Sequence, residues 1–280
     1  MPKNSNLSVS VIISTYNEPE WLRKVLVGYN QQTYSHFEVL IADDGSGPDT
    51  KQVIDDFIQS RPNFSIQHIW HPDTGYNKCG ILNKAIVASK GNYLIFTDGD
   101  CIPRKDFVEV HATGAEKQRF LSGGALRLPM DLSTKISNED IEDQRVFDRE
   151  WMEKNGLPKS FKNSKLSKNR LFTWLMGKIT PAKASWNGGN ASTFKEYVLA
   201  VNGFNEDMHY GGQDREFGER LQNLGLKGKQ VRYSAICVHL EHHRAYKTDK
   251  SIKKNQAIRK ETRQTGNSWV ENGIKKGSNE

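Results

Sequence analysis

Asn92-Tyr93-Leu94-Ile95-Phe96-Thr97-Asp98-Gly99-Asp100 runs from an apolar segment straight into two carboxylates. The apolar run has the length and composition of a buried strand. A single glycine separates the carboxylates, so at the strand's carboxyl end they converge on one small volume. Hard oxygens there suit Mg²⁺ or Mn²⁺, ions whose remaining positions are commonly filled by substrate phosphates. Alone, an Asp-x-Asp is an acidic turn that closes a strand, and its neighbours decide whether it is more.

The same pattern occurs twice upstream. Phe37-Glu38-Val39-Leu40-Ile41-Ala42 ends in Asp43-Asp44-Gly45-Ser46, and Val9-Ser10-Val11-Ile12-Ile13-Ser14 runs into Thr15-Tyr16-Asn17-Glu18. Helical spacing follows each of these two runs. Trp21, Leu22, Val25 and Leu26 predict a helix over 18–31 with Pro19 in its first turn, and Val53, Ile54, Phe57 and Ile58 predict one over 50–60. A strand over 65–70 and a helix over 78–89 precede the Asp-x-Asp strand. Alternating strands and helices imply a parallel sheet covered on both faces. Ligands of such sheets sit outside the carboxyl ends of the strands, where Thr15, Asp43, Asp44, Asp98 and Asp100 fall.

Ser10-Val11-Ile12-Ile13-Ser14-Thr15-Tyr16-Asn17-Glu18, Ala42-Asp43-Asp44-Gly45-Ser46 and Thr97-Asp98-Gly99-Asp100 resemble the nucleotide-sugar half of a family 2 glycosyltransferase with the GT-A fold. Trp186-Asn187-Gly188-Gly189-Asn190-Ala191-Ser192, Asn202-Gly203-Phe204-Asn205-Glu206 and Gly211-Gly212-Gln213-Asp214-Arg215-Glu216 resemble a segment shared by galactosyltransferases, chondroitin-polymerase-type enzymes and polypeptide GalNAc-transferases. The resemblance spans roughly residues 7–245. It implies an α/β GT-A fold, a Rossmann-like, mostly parallel central sheet flanked by helices. It also implies one domain over 1–245, with a nucleotide-sugar half at about 1–100 and an acceptor half at 101–245. Residues 246–280 would then be a basic carboxyl-terminal extension.

The resemblance assigns roles. Thr15, Tyr16 and Asn17 would border the nucleotide, and Asp44 would accept the uracil imide N–H in a charge-assisted bond. Asp98 would lie near ribose and metal, and Asp100 would ligate Mn²⁺ or Mg²⁺ bridging the diphosphate. A third metal ligand would be a His after the last strand. His242 matches by the spacing of the GalNAc-transferase segment and His239 by that of the polymerase-like members. Lys78 would contact phosphate or ribose, and at a helix start it is otherwise a solvated lysine. Gly189 belongs with the donor site. Trp186 beside it is either an acceptor shelf or core.

Asp214 is the candidate catalytic base, accepting a proton from the acceptor hydroxyl as that oxygen attacks and inverts the anomeric carbon. It opens a helical pattern over 214–224 that Gly225 ends, and an Asp there is also an ordinary N-cap. Relatives commonly carry an acid where Gln213 stands, so this chain has one carboxylate fewer. Glu216 reads as a solvated first-turn acid, Phe204 and Tyr210 as packing, and His243 as polar surface.

Charge is unevenly placed. Residues 244–280 hold ten Lys/Arg and four Asp/Glu, a net +6 of the chain's +7. Lys250, Lys253, Lys254, Arg259, Lys260 and Arg263 would lie along one exposed helix, either solvated or touching an anionic membrane that carries a lipid-linked acceptor. Residues 154–195 hold nine Lys/Arg and no acid, and their first part reads as a long mobile loop. Such a basic segment could shape the acceptor site or close over the diphosphate. Residues 231–240 read as the last strand. No run approaches a membrane helix, and no secretory segment is evident, so a cytoplasmic protein, or one peripheral at the inner membrane face, is expected. Three Cys at 79, 101 and 237 lack metal-type spacing.

The expected activity is transfer of a hexose or N-acetylhexosamine, galactose or GalNAc by the carboxyl-terminal resemblance, from a UDP-sugar to a glycan or lipid-linked saccharide. Two alternatives stand beside it. A nucleotidyltransferase would need a glycine-rich phosphate loop that Ser14-Thr15-Tyr16-Asn17 does not supply. A non-catalytic basic binding protein would explain the tail, but no nucleic-acid module is present, and no nucleic acid is expected as a partner.

Overall fold

Strands that are apolar at nearly every position must be covered on both faces, and that condition organises the molecule. The computed structural model describes residues 7–167, 169–180, 183–242 and 248–276. The chain opens with β1 (Val9–Thr15), α1 (Pro19–Asn30), β2 (Phe37–Asp43), α2 (Pro48–Gln59), β3 (Ser65–Trp70), α3 (Lys78–Ala88) and β4 (Tyr93–Asp98). It continues through β5 (Cys101–Pro103), α4 (Phe107–Gly114), β6 (Arg119–Ser122) and β7 (Gly124–Arg127) to three short helices, α5 (Met130–Lys135), α6 (Asn138–Glu142) and α7 (Arg149–Lys154). After α8 (Arg170–Ile179) come β8 (Ala191–Phe194), α9 (Lys195–Ala200), α10 (Gln213–Asn223), β9 (Lys227–Gln230), β10 (Ile236–His239) and α11 (Asp249–Thr265).

Seven strands form one sheet in the order β3-β2-β1-β4-β8-β6-β9, and β5-β10-β7 form a second. β3, β2, β1 and β4 are mutually parallel, whereas β8 runs antiparallel to both β4 and β6. Side chains alternate across the first sheet as the pleat requires. Val9, Val11, Ile13, Val39, Ile41 and Ile95 enter one core with α1 and α4. Ile12, Leu40, Leu94 and Phe96 enter the other with α3 and α10. Pro19 and Pro48 sit in the first turns of α1 and α2, where a missing N–H costs nothing.

Three segments differ from the sequence expectation. The strand expected over 231–240 is confined to Ile236–His239, because Ser234 and Ala235 donate back to the Val231 carbonyl and close a turn. The loop expected within 154–195 contains a 3₁₀ helix, Phe161–Leu166, and then α8. Buried Asn163 donates to Glu153 and to the Pro158 carbonyl, which fixes the 3₁₀ turn. The third is the basic extension, whose helix forms but is docked rather than exposed all round. Fully buried Asn255 donates through Nδ2 to the carbonyls of His209 (2.7 Å) and Gly211 (2.9 Å). Arg259 and Arg263 both pair with Glu219 of α10. Beyond α11, Asn202 Nδ2 donates to the carbonyls of Val270 and Lys275 and pins the segment to the body. His243 lies outside the described residues.

Candidate active site

The strand order reverses between β1 and β4, since each continues away from the other on opposite sides of the sheet. That reversal is where an α/β sheet opens a crevice. Register pairs Ser14 with Asp98 and Thr15 with Asp43, so the three strands end level with one another. A cleft of about 670 Å³ lies over these ends and is lined by Thr15, Tyr16, Asn17, Asp44, Lys78, Asp98, Asp100, Asp214, His239 and His242. Of the residues given a nucleotide-sugar, metal or catalytic role from sequence, only Gly189 is not among those lining this cleft.

Asp43 and Asp44 divide the work of their turn. Asp43 is fully buried and accepts the Ser46 N–H at 2.8 Å and His68 Nε2–H at 2.9 Å, which closes the turn. Asp44 faces the cleft with Oδ1 2.8 Å from His71 Nε2, while Oδ2 accepts the Asn77 N–H at 2.9 Å. Lys84 Nζ donates to the other ring nitrogen of His71, so that ring presents Nε2–H to the carboxylate. Burial pushes the Asp44 carboxyl up against these bonds, which pull it down. Asn17, in the left-handed region at φ 50°, donates its N–H to Ser46 and accepts from Gly47, joining the first two strand-end turns. Tyr16 projects outward and donates its hydroxyl to Asp73.

Asp98 accepts Ser14 Oγ–H at 2.8 Å and Lys78 Nζ at 2.6 Å, both on Oδ1. Burial works against the Lys78 ammonium, but Asp98, Asp214 and Tyr76 outweigh it and hold its pKa well above the ordinary value. Lys78 is thus a fixed cation between two carboxylates at the start of α3.

Trp186-Asn187-Gly188-Gly189-Asn190 is a short brace with anchored ends. Trp186 is 1% exposed and packs edge-on to Phe96, Phe120 and Phe217, so it is core and not an acceptor shelf. At the far end Asn190 is fully buried, donates to the Gly124 and Ala235 carbonyls and accepts from His111 Nε2–H. The two glycines between them press on the cleft carboxylates. A Cβ on Gly188 would stand 2.6 Å from Asp214 Oδ1, and one on Gly189 would stand 3.0 Å from Asp98 Oδ2.

Asp214 is not the N-cap of its helix. Gly212, at φ +96°, takes that position, and Asp214 falls in the first turn of α10. Its Oδ1 is shut off from solvent with no hydrogen-bond partner. Removal from water pushes the carboxyl above its usual range, Lys78 opposes this, and Asp98 adds to it. Neighbouring Gln213 bridges the Gly211 N–H and the Tyr76 hydroxyl, and Tyr76 meets Tyr210 edge to face at 5.9 Å. Tyr210 therefore lines the cleft as well as packing. Glu216 is buried, not solvated. It forms a two-bond pair with Arg220 at 2.8 and 3.0 Å and accepts from Thr262 of α11. Phe204 stacks on Phe217 at 4.3 Å, within the core.

β5 and β10 bring the last cluster together. Asp100 Oδ2 lies 3.0 Å from His242 Nε2 and 3.5 Å from His239 Nε2. Burial would raise the Asp100 carboxyl, but His242 and His239 outweigh it and hold it low. The buried His239 Nδ1 has no partner. One carboxylate and two imidazoles fit a divalent ion, and the imidazoles favour Mn²⁺ over Mg²⁺. Cys101 Sγ lies within reach of the same point, but neighbouring Cys237 and burial hold its thiol protonated, and it donates to Asp100. Asp98 is turned toward Lys78, away from this cluster's hydrogen bonds.

Sequence reasoning missed His71 and Arg127. His71 follows directly on a strand end, so the rule that found Asp44 also applies to it. Arg127, which lines the cleft from β7, carries no local signal.

The model described as Glycosyl transferase family 2 matches residues 10–172, and that described as N-terminal domain of galactosyltransferase matches 179–243. Chondroitin synthase of Escherichia coli is 25% identical over 267 residues, covering 89% of this chain and 37% of that protein. The "Uncharacterized glycosyltransferase YfnE" of Bacillus subtilis is 26% identical over 279 residues, 90% of this chain and 69% of that one. This chain thus spans little more than a third of the chondroitin synthase it matches. Among solved structures, the mannosyltransferase PcManGT of Pyrobaculum calidifontis, in complex with GDP-Man and Mn²⁺, superposes with TM-score 0.57 at 19% identity over 86% of this chain and 59% of its own. S. aureus TarS 1-349 with UDP-GlcNAc gives 0.57 at 14%, over 86% and 60%. These likenesses establish the fold as GT-A.

Proposed function

The chain belongs to glycosyltransferase family 2, and on that premise we propose that it moves a hexose or N-acetylhexosamine from a UDP-sugar to a hydroxyl of a glycan or lipid-linked saccharide, with inversion. The observation that carries this is the convergence of Asp44, the Lys78–Asp98 pair, the Asp100–His239–His242 cluster and Asp214 on one cleft at the strand-order reversal. Residues 1–100 supply the donor half and 101–245 the acceptor half. The match to a galactosyltransferase segment and the likeness to chondroitin synthase favour galactose or GalNAc as the donor sugar.

Asp44, held by His71 and the Asn77 amide, accepts the uracil N–H with its remaining lone pairs. Thr15, Tyr16 and Asn17 border the base, and Asp98 lies by the ribose. Lys78 faces the diphosphate as a fixed cation. Asp100, His242 and His239 would hold Mn²⁺ or Mg²⁺, which when bound neutralises charge on the departing UDP. Asp214 takes the acceptor proton; its raised pKa makes it a stronger base than an ordinary carboxylate. Among the described residues no helix is long and apolar enough to cross a membrane. Lys250, Lys253, Lys254 and Lys260 remain exposed on α11 and would serve a peripheral contact with anionic lipid.

Calorimetric titration of UDP with Mn²⁺, with EDTA, and into Asp100→Ala tests the donor site. Binding that needs both metal and Asp100 is expected. Equal binding in EDTA would remove the metal role, and no binding under any condition would remove UDP as the donor nucleotide. A screen of UDP-sugars for hydrolysis and transfer then identifies the sugar.

A further inference from the structure

We propose that α8 is an interfacial helix that seats the protein on an anionic membrane surface. A helix on a soluble protein turns its apolar stripe inward and its charges outward. α8 turns its apolar stripe outward. Leu171 is 73% exposed, Trp174 55%, Leu175 46% and Ile179 59%. These positions are spaced i, i+3, i+4 and i+8, so they form one stripe, and that stripe faces water. Phe161, at the start of the 3₁₀ helix leading into α8, is 72% exposed and adds to the apolar surface. None of the five belongs to the buried core.

The charge around the stripe selects its partner. Residues 154–195 carry nine Lys/Arg and no Asp or Glu. Lys154, Lys159, Lys162 and Lys183 are exposed on the segments flanking α8. A Trp- and Leu-bearing face within an exclusively basic segment is the composition of a helix lying in a lipid headgroup region. Anionic headgroups meet the lysines while the apolar side chains reach the acyl boundary. At 1.5 Å per residue α8 is about 15 Å long, enough for two turns to lie flat in that layer. A second copy of the chain would bring the same positive charge against itself, which disfavours self-association through this face.

Placement connects the surface to the cleft. Lys165 Nζ, in the 3₁₀ helix just before α8, donates to the Ala125 carbonyl of β7, and β7 also sends Arg127 into the cleft wall. Seating α8 on a bilayer holds the acceptor half near the headgroups, where a lipid-linked saccharide presents its hydroxyl. This surface is distinct from the α11 lysines, and its membrane binding needs no assumption about the donor.

Co-sedimentation tests it, using the full chain with vesicles of phosphatidylcholine containing about 30% phosphatidylglycerol and with pure phosphatidylcholine. Binding to the anionic vesicles, weakened by salt, is expected. Leu171→Ser/Trp174→Ser/Leu175→Ser should weaken it roughly tenfold or more, because three apolar side chains lose their burial. Gln at Lys250, Lys253, Lys254 and Lys260 should leave most of it. Circular dichroism and thermal melting check that the triple variant folds. Should it not, Trp174→Phe decides: the parent shows a blue shift of tryptophan emission on adding anionic vesicles, and this variant loses most of it. Four results would overturn the proposal: no binding by the parent, undiminished binding by the α8 variant, a blue shift that Trp174→Phe retains, or a parent dimer that the α8 substitutions make monomeric. UDP titration without vesicles is unaffected by any of them.

Discussion

Gly188→Ala puts one methyl group against the proposed base. Gly188 does not occupy the left-handed region, so the alanine backbone fits and the whole effect is steric. The new Cβ would stand 2.6 Å from Asp214 Oδ1 and 2.9 Å from both its carboxyl carbon and Oδ2. Reaching the 3.4 Å of ordinary contact requires a retreat of about 0.8 Å. Gly188 cannot easily yield instead, because the brace is pinned at Trp186 and Asn190. Overpacking of this kind costs about 1–3 kcal/mol of stability. A displacement approaching 1 Å at a reacting group costs about a hundredfold in rate. The donor-base contact at Asp44 is on another turn, so UDP affinity should hold within about twofold while kcat falls by roughly two orders of magnitude. Steady-state transfer kinetics beside UDP calorimetry separate the two. A Gly188→Ala enzyme with kcat within threefold of the parent would refute Asp214 as the base or the rigidity of the brace. Equal loss of UDP affinity and rate would point to general collapse of the cleft.

Three further outcomes follow from buried charge. Asp214 has a folded-state pKa raised above its unfolded value, so its contribution to stability is present below about pH 4 and lost as pH rises through the folded pKa. Asp214→Asn should therefore abolish transfer yet melt at or above the parent temperature at pH 7, and a clearly lower melting temperature would contradict this. His111 is fully buried between Ser192 and Asn190, and burial lowers its pKa from 6.5 to about 4. Its contribution, on the order of 3 kcal/mol, is present above about pH 6.5 and lost as pH falls toward 4. Urea midpoints at pH 7.5 and 5 should diverge more in the parent than in His111→Gln. Arg220→Ala would leave Glu216 buried and unpaired, at about 3–5 kcal/mol; a melting temperature near that of the parent would mean the pair is dispensable.

The first hundred residues were legible because each element there is locally specified. Strands that are largely apolar, three of them bounded by Asp-Gly or Asn-Glu turns, set their own limits within about two residues. The carboxyl-end rule then gathered Thr15, Asp44, Asp98 and Asp100 without any knowledge of the rest. The second half depends on partners distant in sequence. Glu216 reads as solvated until Thr262 and the Val201 carbonyl, which also holds Arg220, are placed around its ion pair. Val231 to Ala235 reads as strand because a tight turn can also be apolar when its side chains reach the core. α8 was missed because the Pro, Ser and Asn residues before it read as loop, although Leu171, Trp174, Leu175 and Ile179 carry helical spacing of their own. His71 was overlooked because a lone histidine after a strand resembles any polar turn residue.

The dock of α11 places a condition on synthesis. Every residue proposed to touch donor, metal or acceptor has left the ribosome once His242 emerges, yet the turn that presents Asp214 is still unsecured. Its His209 and Gly211 carbonyls wait for the Asn255 amide, and the Asn202 turn waits for residues 270–275. On the proposed roles, the donor-side strands are complete early in synthesis, whereas the side that would accept the proton is secured only late. With the roles proposed for these residues, a nascent chain would be able to hold nucleotide before it could turn over.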